Sequence, residues 1–133
     1  MAGIFKFELV TPERVLLSEN VEQVVLPGSE GEFTVLVAHA PVIATLRPGV
    51  IDVQLTGRKQ RVFVKGGFAD VQPELLTVLA EKALDVEEVD PGTVAAELEV
   101  AQAELDEATD DEARLAATTA IEQLQMLQGS KAA

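Results

Sequence analysis

The sequence predicts an N-terminal β-sandwich followed by an α-helical hairpin. Three observations lead there. Residues 4 to about 82 are short apolar runs, several alternating with polar residues and cut at close intervals by Gly and Pro. At Asp90 the texture changes to Ala, Glu and Leu at helical spacing. The 133 residues, 47% of them hydrophobic, can furnish one compact domain plus an appendage.

Phe5, Phe7 and Leu9 alternate with Lys6 and Glu8, the period of a strand with one wet face. Val21 to Leu26 is a second run, closed by Pro27-Gly28. Phe33 to Val37 follows, and then Val50 to Leu55, which alternates with Asp52 and Gln54. Thr56-Gly57-Arg58-Lys59 is a hairpin turn into Val62-Phe63-Val64. Gly66-Gly67 turns the chain into Phe68 to Val71, and Leu75 to Ala80 completes the set. So many short strands at regular spacing argue for an antiparallel sandwich over residues 1–84. Asp85 to Asp90 reads as a charged linker, and residues 91–133 as the hairpin.

Asp90-Pro91 opens the first helix: Asp caps free amides, and Pro costs nothing where no amide is needed. Val94, Leu98, Ala101 and Leu105 then share one face. After a break at Ala108 to Asp111, Thr109 and Glu112 stand at capping-box spacing. In the second helix Ala117, Ile121, Leu124 and Gln128 form the expected stripe, with Ala120 and Leu127 beside it. Two short amphipathic helices joined by a tight turn pair antiparallel, because neither buries its stripe alone.

Composition removes several functions. The net charge of −13 opposes nucleic acid and anionic membrane surfaces alike. With no Cys there is neither a disulfide framework nor a thiolate site. No stretch reaches the ~20 apolar residues of a membrane span, since the longest, Phe33 to Leu46, contains His39 and Pro41. The N-terminus passes straight into a strand pattern, unlike a secretory signal or transit peptide, so membrane association is expected only through other proteins. Acid is denser in the hairpin. Residues 90–133 carry ten Asp and Glu against Arg114 and Lys131, a net of −8, and residues 1–89 a net of −5.

No catalytic constellation can be assembled. His39 is the single histidine, too few for a zinc-water site or a hydrolytic triad, so it reads as a residue fixing the loop before Pro41. Glu30 and Glu32 flank Gly31 in a turn that offers no pocket for paired acid-base work. Gly28-Ser29-Glu30-Gly31 and Lys65-Gly66-Gly67 lack the spacing and terminal Lys-Ser/Thr of a phosphate loop. The acidic hairpin has no calcium-loop pattern. No cofactor and no metal are expected.

Pro27-Gly28-Ser29-Glu30-Gly31-Glu32-Phe33, running on to Ala38-His39-Ala40-Pro41, is too particular for a generic turn and strand. With Leu9-Val10-Thr11-Pro12-Glu13, Arg47-Pro48-Gly49-Val50-Ile51 and Gly66-Gly67-Phe68-Ala69-Asp70-Val71, it resembles the epsilon-subunit family of F-type ATP synthases, called delta in mitochondria. The resemblance spans the whole chain. It implies a non-catalytic subunit of the central stalk that couples the proton-driven c-ring to the catalytic head through the gamma subunit. It further implies a c-ring interface at Glu30, Glu32 and Phe33, a gamma interface at His39, Pro41 and Val42, and an optional hairpin contact with the alpha/beta head. The expected place is the cytoplasmic face of a bacterial inner membrane, with the mitochondrial matrix side as alternative. A second reading of the residues is a free-standing β-sandwich module whose hairpin recruits a protein partner.

The chain departs from that family in its hairpin. Members that bind ATP there carry Ile/Leu-Asp, an Arg-Ala pair and further Arg residues. Here Val89-Asp90 matches the start, but Thr93-Val94 replaces Arg-Ala, and Val100 and Glu104 hold the later positions. Nucleotide binding is therefore not expected. In members that inhibit hydrolysis, basic residues on the second helix meet an acidic segment of the catalytic head. This helix, from about Glu112 to Gln128, offers Arg114, with Lys131 beyond its end, so weak or no inhibition is expected.

Overall fold

Alternating burial organises the first domain. In the computed structural model, which describes residues 3–132 and side chains as far as Gly129, Phe5, Phe7 and Leu9 point inward while Lys6 is exposed. The expected domain ends at Met1 and Ala133, and the side chain of Lys131, lie outside the described residues. The strands are β1 (Phe5–Val10), β2 (Val15–Val21), β3 (Gln23–Gly28), β4 (Gly31–Val35), β5 (Val42–Leu46), β6 (Gly49–Leu55), β7 (Arg58–Val64), β8 (Gly67–Val71), β9 (Leu75–Ala80) and β10 (Ala83–Asp85). The helices are α1 (Pro91–Glu107) and α2 (Asp111–Ala132).

One hydrogen-bonded path runs β10-β7-β6-β3-β5-β8-β9-β1-β2, with β4 on the side of β3. The link between β3 and β5 is a single pair, Gly28 with Leu46, and there the sheet folds over. One layer is β10-β7-β6-β3-β4 and the other β5-β8-β9-β1-β2, together a flattened half-barrel. Both inner faces feed one core, with Phe7, Val21, Val24, Leu26, Ile51, Val64, Val71 and Val78 all but inaccessible. At the rim Arg58 Nη2 donates to Glu19 at 3.0 and 3.2 Å, an exposed pair worth at most about 1 kcal/mol.

Several expectations need correction. β1 and β9 run parallel, Lys6 beside Leu75 through Val10 beside Leu79, so the sandwich is not wholly antiparallel. Most of the domain separates these strands in sequence, so no hairpin turn dictates their direction. Asp85 is not linker: it pairs with Val62 in β10 and accepts a hydrogen bond from Gln60 Nε2 at 2.9 Å. The strand is only three residues long, too short for an alternation to show.

The chain divides into two compact units, Met1–Asp85 and Val86–Ala133. In the second, the Asp90 carboxylate accepts from the Thr93 amide at 2.8 Å and Pro91 fills the first helical position, as expected of a cap. The second cap is Asp110, not Thr109, with the Ala113 amide donating to Asp110 Oδ1 at 2.7 Å. Asp and Thr compete for one site, and the stronger acceptor next to the helix prevails. α1 packs against α2. α1 buries Val94 and Ala101, while α2 buries Ala117, Ala120, Leu124 and Leu127. Ile121 is half-buried and Gln128 exposed, so the expected stripe is displaced. Both stripes alternate three- and four-residue steps, so spacing alone admits either, and the buried one is rotated around the helix towards Ala120 and Leu127.

Candidate functional site

The residues singled out in the sequence fall at two ends of the sandwich. At one end, β3 and β4 form a hairpin in which Gly28 pairs with Gly31, leaving Ser29-Glu30 as the tip. A Cβ on Gly28 would meet the Gly31 carbonyl oxygen at 2.6 Å and the Phe33 ring at 3.0 Å, and Gly31 holds φ +137°. Both glycines are thus required by the turn. Glu30 at the tip and Glu32 on the outer face of β4 are exposed carboxylates. Phe33 points the other way: it is half-buried, lies over Gly28 and packs on the core. It supports the acidic turn from beneath.

The second group lies at the far end of β4, roughly 13 Å away at about 3.3 Å per residue. Here residues 36–41 form a loop before β5. The His39 amide donates to the Leu36 carbonyl at 3.2 Å, and the Ala38 amide to Pro73 at 2.9 Å. His39 is half-buried with Nδ1 2.8 Å from the Ala40 carbonyl oxygen, and Pro41 and Val42 are exposed. His39 therefore braces its own loop. Around it, Leu36, Val37, Val42 and Ile43 are 41–73% exposed, and Ile4 is 53% exposed. Such a concentration of bare apolar side chains marks a contact surface.

A third feature escaped the sequence reading. Across the outer face of the second layer, Phe68 lies opposite Leu79, Leu79 opposite Val10, and Val10 opposite Val15. Phe68, Leu79 and Val15 are 47%, 40% and 57% exposed, so an apolar row crosses four strands in the open. Each strand contributes one residue, so only the pairing register reveals the row. Ile43 on β5 sits diagonally beside Phe68, which joins the row to the apolar end.

In the hairpin, Thr93, Val100 and Glu104 are seven and four residues apart and share one face of α1 with Glu97. That face carries two carboxylates and no cation. On α2, Arg114 is tied to Asp111 at 3.0 Å. Among the described residues no group of three or more His, Cys, Asp or Glu is placed to hold a metal ion. No helix among them is long and apolar enough to cross a membrane.

Known proteins carry the same architecture. Residues 4–86 match the family model described as "ATP synthase, Delta/Epsilon chain, beta-sandwich domain". An ATP synthase epsilon chain of Mesorhizobium japonicum is 48% identical over 131 residues, covering 98% of this chain and 97% of that one. One from a Chelativorans species is 49% identical with the same coverage. A solved chain in the Euglena gracilis mitochondrial ATP synthase, determined as OSCP/F1/c-ring, superposes with a TM-score of 0.71 at 26% identity, covering 98% of this chain and 82% of that one. A chain from the central stalk/c-ring of the Tetrahymena thermophila mitochondrial ATP synthase shares the fold at TM-score 0.68 and 14% identity, with 96% and 98% coverage.

Proposed function

The chain belongs to the delta/epsilon family of ATP synthase subunits, and from that premise we propose that it is a two-ended mechanical coupler in the central stalk. It is a non-catalytic subunit of a membrane-associated complex. One end of the sandwich, with Glu30 and Glu32 exposed and Phe33 beneath them, meets the c-ring. The apolar end, with Pro41 and Val42 exposed and His39 bracing the loop, meets the gamma subunit. The complex sits at the cytoplasmic face of a bacterial inner membrane, in keeping with bacterial relatives that match end to end.

The observation that carries this reading is the separation of two exposed surfaces, one acidic and one apolar, by a continuously hydrogen-bonded sheet around a close-packed core. Torque passes between two partners only through a body that does not yield, and packed protein interiors have low compressibility. Carboxylates at the ring end supply orientation and specificity more than raw affinity. The hairpin, by contrast, lacks the cations that would hold a nucleotide or an acidic segment of the catalytic head. We expect it to bind no ATP and to inhibit hydrolysis weakly or not at all.

Replacing Glu30 and Glu32 together by Lys tests the ring contact. The altered chain should melt like the original, because both side chains are exposed, and should lose most of its affinity for the isolated c-ring. Undiminished ring binding by the folded double variant would refute the assignment.

A further inference from the structure

The end that carries Glu30 and Glu32 is not wholly acidic. Strand order brings five turns there, at residues 11–14, 29–30, 47–48, 65–66 and 81–82. Four of the eight cations of residues 1–89 lie on them, Arg14, Arg47, Lys65 and Lys82. Arg47 is tied to the acidic hairpin itself. Its amide donates to the Pro27 carbonyl at 2.9 Å, and the Ser29 amide to the Thr45 carbonyl at 2.9 Å, on either side of the pair Gly28 with Leu46. Arg47 thus stands opposite Pro27, and Pro27 stands opposite Glu32. Opposed residues share a face, so Arg47 and Glu32 flank Pro27 within roughly 10 Å, two strand spacings. That spacing is fixed. Leu46 and Pro48 on either side of Arg47 are buried, and a Cβ on Gly49 would meet that of Pro27 at 2.9 Å. Arg47 is exposed, and its side chain, like those of Glu30 and Glu32, has no hydrogen-bond or ion-pair partner among the described residues. Both signs of charge are therefore left open to a partner.

We propose that Arg47 is a specificity-determining residue of the ring contact, taking a carboxylate on the exposed surface of the c-ring while Glu30 and Glu32 take a cation. The proposal rests on the reading that the ring meets this end, and it adds a requirement: the ring surface presents both charges, in the order opposite to the row. Two arguments select a carboxylate of the ring. Arg47 stands in one row with Glu32, so a partner that reaches the acidic hairpin covers it as well. A guanidinium presents a planar fork of N–H donors that matches the two oxygens of a carboxylate. Complementary charges of both signs fix the register of an interface, and a coupler that slipped in register would lose rotation.

The test measures binding of the full-length chain to isolated c-ring in neutral detergent. Arg47→Gln should melt like the original, because its side chain has no partner in the fold to lose. It should weaken ring binding at least about threefold at roughly 50 mM salt and change little at roughly 500 mM, where surface charge is screened. Arg47→Glu sets like charges together and should weaken binding at least about tenfold. Glu32→Arg combined with Arg47→Glu keeps the net charge and reverses the order, and it should bind no better than Arg47→Glu alone. Undiminished binding by folded Arg47→Gln at low salt overturns the proposal. So does a loss seen only when anionic lipid is added, which assigns the cation to headgroups. Binding restored in the swapped double variant shows that net charge and not order matters, and overturns the specificity. No binding of the unaltered chain to the ring would instead sink the reading on which the proposal rests.

Discussion

Ala38 holds φ +62° at the exposed apolar end, the one non-glycine residue with positive φ among those described. Left-handed backbone costs an alanine roughly 1–2 kcal/mol, and a glycine almost nothing. The conformation is fixed by the Ala38 amide bonded to Pro73 and the His39 amide bonded to Leu36. Strain held this way is characteristic of contact loops, where it fixes the shape that a partner meets. Ala38→Gly should therefore stabilise the protein by about 0.5–1 kcal/mol, the relief being partly offset by a freer unfolded chain. Urea denaturation reads this directly, and a destabilised variant would show that the alanine is not strained. At this scale the sequence is candid about type and silent about direction. Glu30 and Glu32 are legible as exposed because glycines surround them. Phe33 looks like their companion in sequence, but strand parity turns it inward onto the core.

Elements were legible where alternation or capping chemistry was strong. β1 and β6 alternate cleanly, and Asp90-Pro91 marks the start of α1. β2 and β5 are not announced. Val15-Leu16-Leu17 runs into Ser18-Glu19-Asn20 with no alternation, and β5 lies inside one apolar run that also includes the loop at residues 36–41. The row of Phe68, Leu79, Val10 and Val15 was illegible for a deeper reason. It is a property of register across three pairings, and the one that joins its two halves is parallel and links strands far apart in sequence, β1 and β9. The cap of α2 yields a direct check. Asp110→Ala should cost about 1 kcal/mol and lower the helical melting transition, whereas Thr109→Ala should leave it unmoved. The reverse order would restore Thr109 as the cap.

As a whole molecule, the chain has a first unit whose core cluster comes entirely from residues 5–80, with β10 closing one edge at Asp85. A chain ending at Glu88 should therefore fold alone, with a cooperative melt and a strand-type circular dichroism spectrum. Broad, non-cooperative unfolding would mean that the helices complete the core. The same truncation examines the acidic hairpin. Each close like-charge contact with an acidic segment of the head raises the energy of an inhibitory state, on the order of several kcal/mol. ATP hydrolysis by the complex should thus be nearly the same with the full-length or truncated subunit. A several-fold rise on truncation, reversed by the intact chain, would reveal a latch that does not use basic residues.

The measurement closest to the central claim is ATP-driven proton pumping, normalised to ATP hydrolysed, by the complex in sealed vesicles with and without this chain. A two-ended coupler predicts that hydrolysis persists without it while pumping per ATP collapses. Full-length chain should restore pumping, as should the chain ending at Glu88, but the Glu30→Lys, Glu32→Lys double variant should not. Pumping per ATP that is unchanged when the chain is left out would contradict the account.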